Sequence, residues 1–372
     1  MPEQKIINKT LDTTTTTNNK FKLFFKIKKM VMNDTLSKFF MNKHNGIPIW
    51  FLRQAGRHIP EYFEIRNKSD NFINFCLNEK LIIESTKLPL KYYDLDAAIV
   101  FSDILMIPWA MNRKLNFIKG VGPTLKPMIP DETKILKNIN ISQKLEPLKT
   151  SISILRKELP QSTSLIGFAG APWTLACYMI EGQSSKDFIN TRKALWDSNK
   201  WFMELIDTLS IYVAEKLEMQ ANAGADILML FDSWSHMIPS NFFKECAINP
   251  TAKIISILKS KNITKPIIGF PFKAGLSLID YSYESNVDCM ALDWTVNLDW
   301  VNKNLNSSIA IQGNLDPASL IPSKSCHLEN IVLSILNVMK DNRFVFSVGH
   351  GLTPDCKIKN VQKVIDIVRN YK

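Results

Sequence analysis

Two arginines, Arg53 and Arg57, lie four positions apart in the segment PIWFLRQAGRHIPEY, with Gln54, Ala55 and Gly56 between them. Guanidinium groups bind carboxylates or phosphates through paired hydrogen bonds, and small neighbouring residues let the backbone approach a ligand closely. The alternative is that both arginines form ordinary surface ion pairs, and spacing alone does not decide between the two. The segment is therefore a candidate anion-binding loop.

A single carboxylate, Asp103, follows an apolar run in the segment AIVFSDIL. A partly desolvated carboxylate at such a position can stabilise a developing cation or accept N–H donors. The competing interpretation is a helix N-cap, because aspartate is common where a strand leads into a helix. The position alone leaves both interpretations open.

Three further polar side chains lie in distinctive contexts. Tyr178 occurs in GFAGAPWTLACYMIEG, where a buried core tyrosine is the simpler interpretation. Ser233 occurs in FDSW, which lacks the G-x-S-x-G surroundings of a nucleophilic serine and instead suggests a hydrogen-bond donor. His350 stands between Gly349 and Gly351, and this tight, open backbone favours a ligand-binding role.

Arg53, Asp103, Ser233 and His350 lie at the ends of short apolar runs. These runs alternate with longer stretches of helical spacing. The runs are mostly continuous, as expected for strands buried on both faces of a parallel sheet. Two stretches, 201–209 and 331–339, place apolar residues on one helix face. The runs cover residues 47–53, 97–103, 164–170, 225–233, 266–271, 289–294, 309–314 and 343–350.

Strands that alternate with helices indicate an α/β protein, and eight strands are the number that closes a barrel. The alternative, an open doubly wound sheet, usually carries a G-x-G-x-x-G motif after its first strand, and the sequence lacks this motif. We therefore predict a single (β/α)8 TIM barrel over residues 33–372. The polar residues at the ends of the runs would then meet at the carboxyl face of the barrel, which indicates an enzyme.

The net charge of +11 is unevenly distributed, because residues 1–32 hold seven lysines and only two acidic residues. This leader also contains a Thr/Asn run that cannot bury enough apolar surface to fold alone. We predict a disordered tail or an upstream start codon, and a basic segment that lies on a membrane surface is the alternative. The moderate excess of positive charge in the remainder suggests an anionic substrate. The remainder of the chain shows no nucleic-acid-binding motif.

The composition excludes other classes of protein. Hydrophobic residues make up 45% of the 372 residues, and no apolar stretch is long enough for a membrane span. The six cysteines form no C-x-x-C and are too few for a disulfide framework, so we expect reduced thiols and a cytoplasmic protein. The histidines show no zinc-type spacing, and no nucleotide fingerprint occurs, so we expect neither a metal nor a nucleotide cofactor.

Taken together, these motifs resemble the uroporphyrinogen decarboxylase family of haem (porphyrin) biosynthesis. The family signature R-Q-A-G-R is present at residues 53–57 with P-E-Y at 60–62, and G-F-x-G-x-P-W-T-L is present at 167–175. Shorter matches follow in order to the C-terminal region, so that only the leader lies outside the resemblance. His58 departs from the family pattern, which usually has tyrosine there.

The resemblance implies a homodimeric barrel without metal or organic cofactor. Its reaction removes CO₂ from the four acetate side chains of uroporphyrinogen III and yields coproporphyrinogen III. Asp103 and Arg53 are the catalytic candidates. Asp103 would stabilise a protonated pyrrole, whereas the guanidinium of Arg53 is a poor acid, so the proton donor stays open. The substrate-binding positions are Arg53, Gln54, Ala55, Gly56, Arg57, Asp103, Tyr178, Ser233 and His350.

Two other functions are compatible with a barrel. A corrinoid-dependent methyltransferase would share the fold, but such enzymes typically hold zinc through H-x-C, which this sequence lacks. A barrel that binds a tetrapyrrole without turning it over differs only in measured activity. Sequence cannot separate this alternative from an active decarboxylase.

Overall fold

A computed structural model of the chain describes residues 36–40 and 46–371, apart from the single positions 119, 137, 198 and 325. The predicted leader, residues 1–32, lies outside the described residues. Within the described part of the chain, no helix has the length and apolar character needed to cross a membrane.

Seven strands form one parallel sheet in the order β1-β4-β5-β6-β7-β8-β9, and two others form the antiparallel hairpin β2-β3. The strands are β1 (Ala97–Ile99), β2 (Leu115–Ile118), β3 (Gly122–Leu125), β4 (Ser164–Gly170), β5 (Ile227–Asp232), β6 (Ile267–Pro271), β7 (Cys289–Ala291), β8 (Ala310–Leu315) and β9 (Phe344–Val348).

The strands of the parallel sheet fall on seven of the eight predicted apolar runs, and β8 extends one residue past its run, to Leu315. Every residue of β4, β6, β8 and β9 is buried, as expected where both faces of a parallel sheet are covered. Several strands are shorter than the runs that predicted them. The run 97–103 is an example, because only its first three residues form β1, and Asp103 therefore lies in the loop beyond the strand.

The eighth predicted run, 47–53, is not a strand. It makes one parallel bridge, between Ile49 and Phe346 of β9, and the carbonyl of Ile49 accepts the N–H of Asp96 at 3.0 Å, just before β1. Pro48 has no N–H to donate, and Arg53 turns the chain with a φ of 52°. The described residues thus form a curled parallel sheet of seven strands, where we predicted eight.

The helices lie between successive strands and in the segments before β1 and after β9. Both predicted helical stretches are found, within α11 and α15. The helices are α1 (Leu36–Phe39), α2 (Glu61–Arg66), α3 (Phe72–Leu77), α4 (Glu79–Lys87), α5 (Pro89–Tyr92), α6 (Met106–Ala110), α7 (Ile141–Lys144), α8 (Glu146–Glu158), α9 (Pro172–Glu181), α10 (Ile189–Asp197), α11 (Asn199–Asn222), α12 (Asn249–Ser260), α13 (Leu278–Glu284), α14 (Leu298–Asn304), α15 (Leu328–Met339) and α16 (Ile358–Asn370).

Helix α9 shows how local sequence positions a site residue. Pro172 occupies the first turn, where a missing N–H costs nothing, and Gly182 ends the helix in the left-handed region with a φ of 79°. Its residues from Pro172 to Ile180 are buried, and Tyr178 is among them.

Candidate active site

Four of the predicted site residues lie at one edge of the parallel sheet. Asp103 follows β1, Ser233 follows β5 directly, and His350 lies two residues beyond β9. Tyr178 lies on α9, the helix that follows β4. Because the carboxyl ends of parallel strands share one edge, this edge is where an α/β fold places its active site.

Arg53 lies close to three of these groups. Its aliphatic stem lies against Gly351, where an added Cβ would come within 2.3 Å of the arginine Cδ. The guanidinium charge lowers the pKa of Asp103 and of Tyr178 and also lowers that of His350. The glycine after His350 therefore makes room for an arginine that faces the other site residues.

Asp103 is half-buried, and its Oδ1 accepts the N–H of Leu105 at 2.8 Å. Burial raises the pKa of Asp103, while the Leu105 N–H, Lys216 and Arg53 each lower it. The N-cap of the following helix is Leu105, which makes no side-chain capping bond. The N-cap interpretation of Asp103 is therefore wrong. Its side chain instead accepts the N–H two residues ahead, and the turn that this bond closes holds the carboxylate in place.

His350 lies in an aromatic and cationic environment. Its ring centroid is 4.8 Å from that of Phe272 and 6.0 Å from that of Trp294. Burial, followed by the charges of Arg53 and Lys273, lowers the pKa of His350 to about 4. The imidazole of the free protein is thus neutral at pH 7, and it offers an N–H donor for the predicted ligand-binding role.

Lys273 adds a cation beside His350. Its Nζ lies 4.9 Å from the ring centroid of Trp294 and 5.4 Å from that of Phe272, and the side chain is exposed. Its backbone N–H donates to Asp293 Oδ2 at 3.0 Å. Sequence reasoning missed this lysine, although its position two residues after the end of β6 was a usable signal.

Hydrogen bonds fix the turn that carries Ser233. The hydroxyl of Thr174 donates to Asp232 Oδ1 at 2.6 Å and accepts the backbone N–H of Trp234 at 3.1 Å. Asp232 is buried, which raises its pKa to about 7. The ring of Trp234 packs edge-on against that of Tyr178, with 6.1 Å between the ring centroids. The turn that carries Ser233 therefore packs against the helix that carries Tyr178.

Tyr178 is almost fully buried, as the core interpretation predicted, but the charges of the site also act on its hydroxyl group. Burial raises its pKa, and Asp103 raises it further while Arg53 lowers it. The phenol therefore keeps its proton at neutral pH and can donate one hydrogen bond. The core and ligand-facing interpretations of this tyrosine are compatible.

Gln54 holds the loop rather than facing an open cleft. Its side chain is fully buried, its Nε2 donates to the carbonyl of Ala97 at 3.1 Å, and its Oε1 accepts the N–H of Phe51 at 3.3 Å. The Nε2 bond attaches the loop to β1, and the Oε1 bond stabilises the loop from within. Gln54 is among the predicted substrate-binding positions, and this arrangement leaves its backbone for such a role.

The rest of the R-Q-A-G-R loop is more open. Ala55 and Gly56 are half-buried, and Arg57 is exposed. An added Cβ on Gly56 would lie 2.9 Å from the carbonyl oxygen of Arg53, so the tight loop excludes a larger residue. Burial raises the pKa of Tyr62 to about 12, and the charges of Arg57 and Asp103 act on it in opposite directions, so Arg57 lies at the rim of the same region.

A second lysine, Lys216, was missed by the sequence analysis. Its side chain is fully buried, and its Nζ donates to the backbone carbonyl of Asp103 at 3.4 Å. In the sequence Lys216 follows Glu215, and such a charged pair in a long helix is typical of a solvent-exposed face. Its position beneath Asp103 depends on tertiary packing, and no local pattern signals it.

Among the described residues, no three His, Cys, Asp or Glu side chains are grouped so that they could hold a metal ion. All six cysteines are free thiols, and only Cys326 is exposed.

Comparisons with known proteins identify the family of the chain. A uroporphyrinogen decarboxylase from Rickettsia africae is 41% identical over 329 residues, covering 88% of this chain and 94% of the relative. One from Maricaulis maris is 38% identical over 323 residues, covering 87% and 93%. A solved methyltransferase from Methanosarcina mazei has a TM-score of 0.72 at 13% identity, covering 90% of this chain and 96% of that one.

The methyltransferase comparison shows a shared fold alone, because its identity is too low to carry chemistry. The family model for Uroporphyrinogen decarboxylase (URO-D) matches residues 33–371, and this span includes every site residue described above. With this match and the relatives at about 40% identity, the chain belongs to the uroporphyrinogen decarboxylase family.

Proposed function

We propose that this protein removes CO₂ from the four acetate side chains of uroporphyrinogen III and yields coproporphyrinogen III. The observation that carries the proposal is the half-buried carboxylate of Asp103, held by the Leu105 N–H and flanked by the charges of Arg53 and Lys216. A carboxylate kept anionic in a partly desolvated site stabilises a positive charge that develops beside it. The proposed reaction creates such a charge.

The chemistry needs an electron sink. Protonation of a pyrrole ring carbon makes the ring a cation, and the C–C bond to the acetate carboxylate then breaks. Its electron pair flows into the ring, CO₂ leaves, and a second proton delivered to the exocyclic carbon gives a methyl group. The initial ring proton is lost again, so each acetate exchanges one CO₂ for one proton. The ring itself accepts the electrons, which removes the need for a cofactor such as pyridoxal phosphate.

In this proposal Asp103 acts on the ring rather than on the leaving group. Its carboxylate would accept the pyrrole N–H groups at the centre of the substrate and stabilise the protonated ring. Arg53 would hold a substrate carboxylate close to this centre, because a guanidinium keeps its proton and binds carboxylates in a bidentate manner. A water molecule or a substrate carboxyl group is then the better proton donor.

The remaining positions would bind the periphery of the substrate. Arg57, exposed at the rim, would pair with another carboxylate, and Tyr178 and Ser233 would donate hydroxyl hydrogen bonds. His350 would donate its N–H as a neutral ring, a role that follows from its pKa of about 4 in the free protein. Gln54, Ala55 and Gly56 would act through the backbone of the loop.

We also propose a complete barrel in which residues 48–50 serve as the eighth strand. Hydrogen bonds that join this segment to Phe346 on one side and to Asp96 on the other support it. The family resemblance supports a homodimer, and the six free thiols fit a reducing compartment such as the cytoplasm. Sedimentation analysis of the purified protein would test the dimer.

The decisive experiment is anaerobic incubation with uroporphyrinogen III, followed by separation of the products by carboxyl count. We expect the eight-carboxyl substrate to pass through intermediates to a four-carboxyl product. A parallel reaction with a chelator should proceed at the same rate. Bound substrate without any loss of carboxyl groups would indicate a silent tetrapyrrole-binding barrel, and activity that a chelator abolishes and zinc restores would favour metal-dependent chemistry.

A further inference from the structure

Lys216 is a buried cation to which the proposed reaction gives no direct role. It lies on α11, and its side chain is fully buried. Lysine is almost never fully buried unless a partner compensates its charge. The groups around Lys216 therefore indicate what the charge does.

Helix α11 holds Lys216 firmly against β4. One turn further along, Gln220 accepts the backbone N–H of Phe168 at 2.7 Å and donates to its carbonyl at 2.8 Å. The Nζ of Lys216 lies 5.3 Å from the centroid of the same phenylalanine ring, a distance typical of a cation–π contact. The ammonium is thus fixed in position rather than free to move with solvent.

From this position Lys216 faces Asp103. Its Nζ donates to the backbone carbonyl of Asp103 at 3.4 Å, and the two charges act on each other: the lysine lowers the pKa of the carboxyl, and the carboxyl raises that of the lysine. Burial lowers the pKa of Lys216 to about 8, so the ammonium form predominates at pH 7. The neighbour shared by both groups, Cys76, stays a neutral thiol because burial raises its pKa well above the usual range.

We infer that Lys216 is a positioning residue that keeps Asp103 ionised before substrate binds. Asp103 has another cation nearby in Arg53, but Arg53 is exposed and would be shared with the carboxylates of the substrate. Lys216 has no contact with solvent and its Nζ donates to the backbone carbonyl of Asp103, so its charge stays beside Asp103 whether or not substrate is bound. The charged or titratable groups that act on Asp103, or on which Asp103 acts, are Arg53, Tyr62, Cys76, Tyr178 and Lys216.

The inference rests on the proposed function, because it gives Lys216 a role only if Asp103 is needed as an anion. The first test is Lys216→Met, which removes the charge and keeps most of the volume. The acid limb of kcat/KM against pH reports ionisation in the free enzyme. We expect this limb to move upward by about one pH unit or more, the usual effect of an opposite charge close to a carboxyl group. On the limb, each unit corresponds to a roughly tenfold loss of kcat/KM.

Lys253→Met is the matched control. Lys253 lies on the neighbouring helix α12 and pairs at the surface with Asp207 at 2.8 Å, so its loss removes the same charge far from Asp103. The limb should stay in place for this variant. A merely structural role for Lys216 would leave the limb unmoved in a folded Lys216→Met protein, and that result would overturn the inference.

A second measurement needs neither turnover nor a folded Lys216 variant. The carboxyl carbon of Asp103 is followed by ¹³C NMR in the unsubstituted protein, with Asp103→Asn assigning the resonance. We expect an ionised carboxylate at pH 7 and a further shift near pH 8, when Lys216 loses its proton. A resonance with no second step would refute the coupling. A protein that is inactive but shows both the ionised carboxylate at pH 7 and the further shift near pH 8 would refute the proposed function. The coupling between Lys216 and Asp103 would then still be established.

Discussion

Replacement of Asp103 by asparagine removes the negative charge of the side chain and keeps its shape. The amide oxygen of asparagine can accept the Leu105 N–H just as Oδ1 of the aspartate does at 2.8 Å. The turn should therefore persist, and the free energy of unfolding should change by less than about 0.5 kcal/mol, because this is a substitution of one good backbone acceptor by another. The charge that would stabilise a protonated pyrrole is lost.

The expected loss in rate follows from the position of that charge. Burial raises the pKa of Asp103, and the charges of Lys216 and Arg53 oppose this rise, so the two cations favour the anionic form. Loss of one preorganised electrostatic partner typically lowers kcat by about 10²–10³-fold, or roughly 2.7–4 kcal/mol. Affinity should change much less, because the ring becomes cationic only on the way to the transition state. Lys216 loses its counter-charge and should give up its proton rather than unfold the protein.

The assay is the anaerobic rate of CO₂ loss under saturating uroporphyrinogen III, with KM measured in parallel and folding checked by thermal denaturation. Asp316→Asn is the matched control. Asp316 also follows a strand, accepts the N–H two residues ahead at 2.9 Å, and is exposed at the surface. A well-folded Asp103→Asn protein with a kcat close to that of the parent would refute the electrostatic role.

Other perturbations test the rest of the site and the fold. Arg57→Ala should weaken substrate binding by about 1.5–3 kcal/mol, the size of a charge-assisted hydrogen bond, and unchanged affinity would place Arg57 outside the site. Asp232→Asn should raise the melting temperature at pH 8.5 but not at pH 4. The carboxyl ionises near 3.8 in the unfolded chain and only near 7 in the folded one, so the parent loses up to roughly 4 kcal/mol of its free energy of unfolding as the pH rises through this range. Equal melting curves for the two proteins at pH 8.5 would contradict the raised pKa. Deletion of residues 1–30 should leave solubility and kcat nearly unchanged, whereas a large loss of either would make the leader part of the working protein.

Much of the fold could be predicted from apolar runs, because a strand buried on both faces must be apolar along its length. The run 164–170 matches β4 residue for residue. The run 47–53 forms a single bridge rather than a full-length strand, because ladder pairing needs donors that Pro48 lacks and an extended backbone that Arg53 leaves. The hairpin β2-β3 was missed, although Gly120 and Gly122, both with positive φ, signalled a turn.

The site was predictable by residue type and less so by charge state. The motif pattern pointed to Arg53, Asp103, Tyr178 and His350, and in the structure the charge of Arg53 acts on each of the other three. Lys216 was beyond sequence reasoning, because its burial depends on how α11 packs against β4.

The charge of His350 illustrates why residue type alone is insufficient. The glycines on either side of His350 predicted a ligand-binding role and said nothing about its charge. In the folded chain, burial and the nearby cations Arg53 and Lys273 lower its pKa to about 4, so the free site repels the extra proton. A substrate whose carboxylates pair with those cations removes part of that repulsion and makes protonation of His350 easier. The imidazole therefore offers a neutral N–H on first contact, and its charge in the complex is set by the anion that binds.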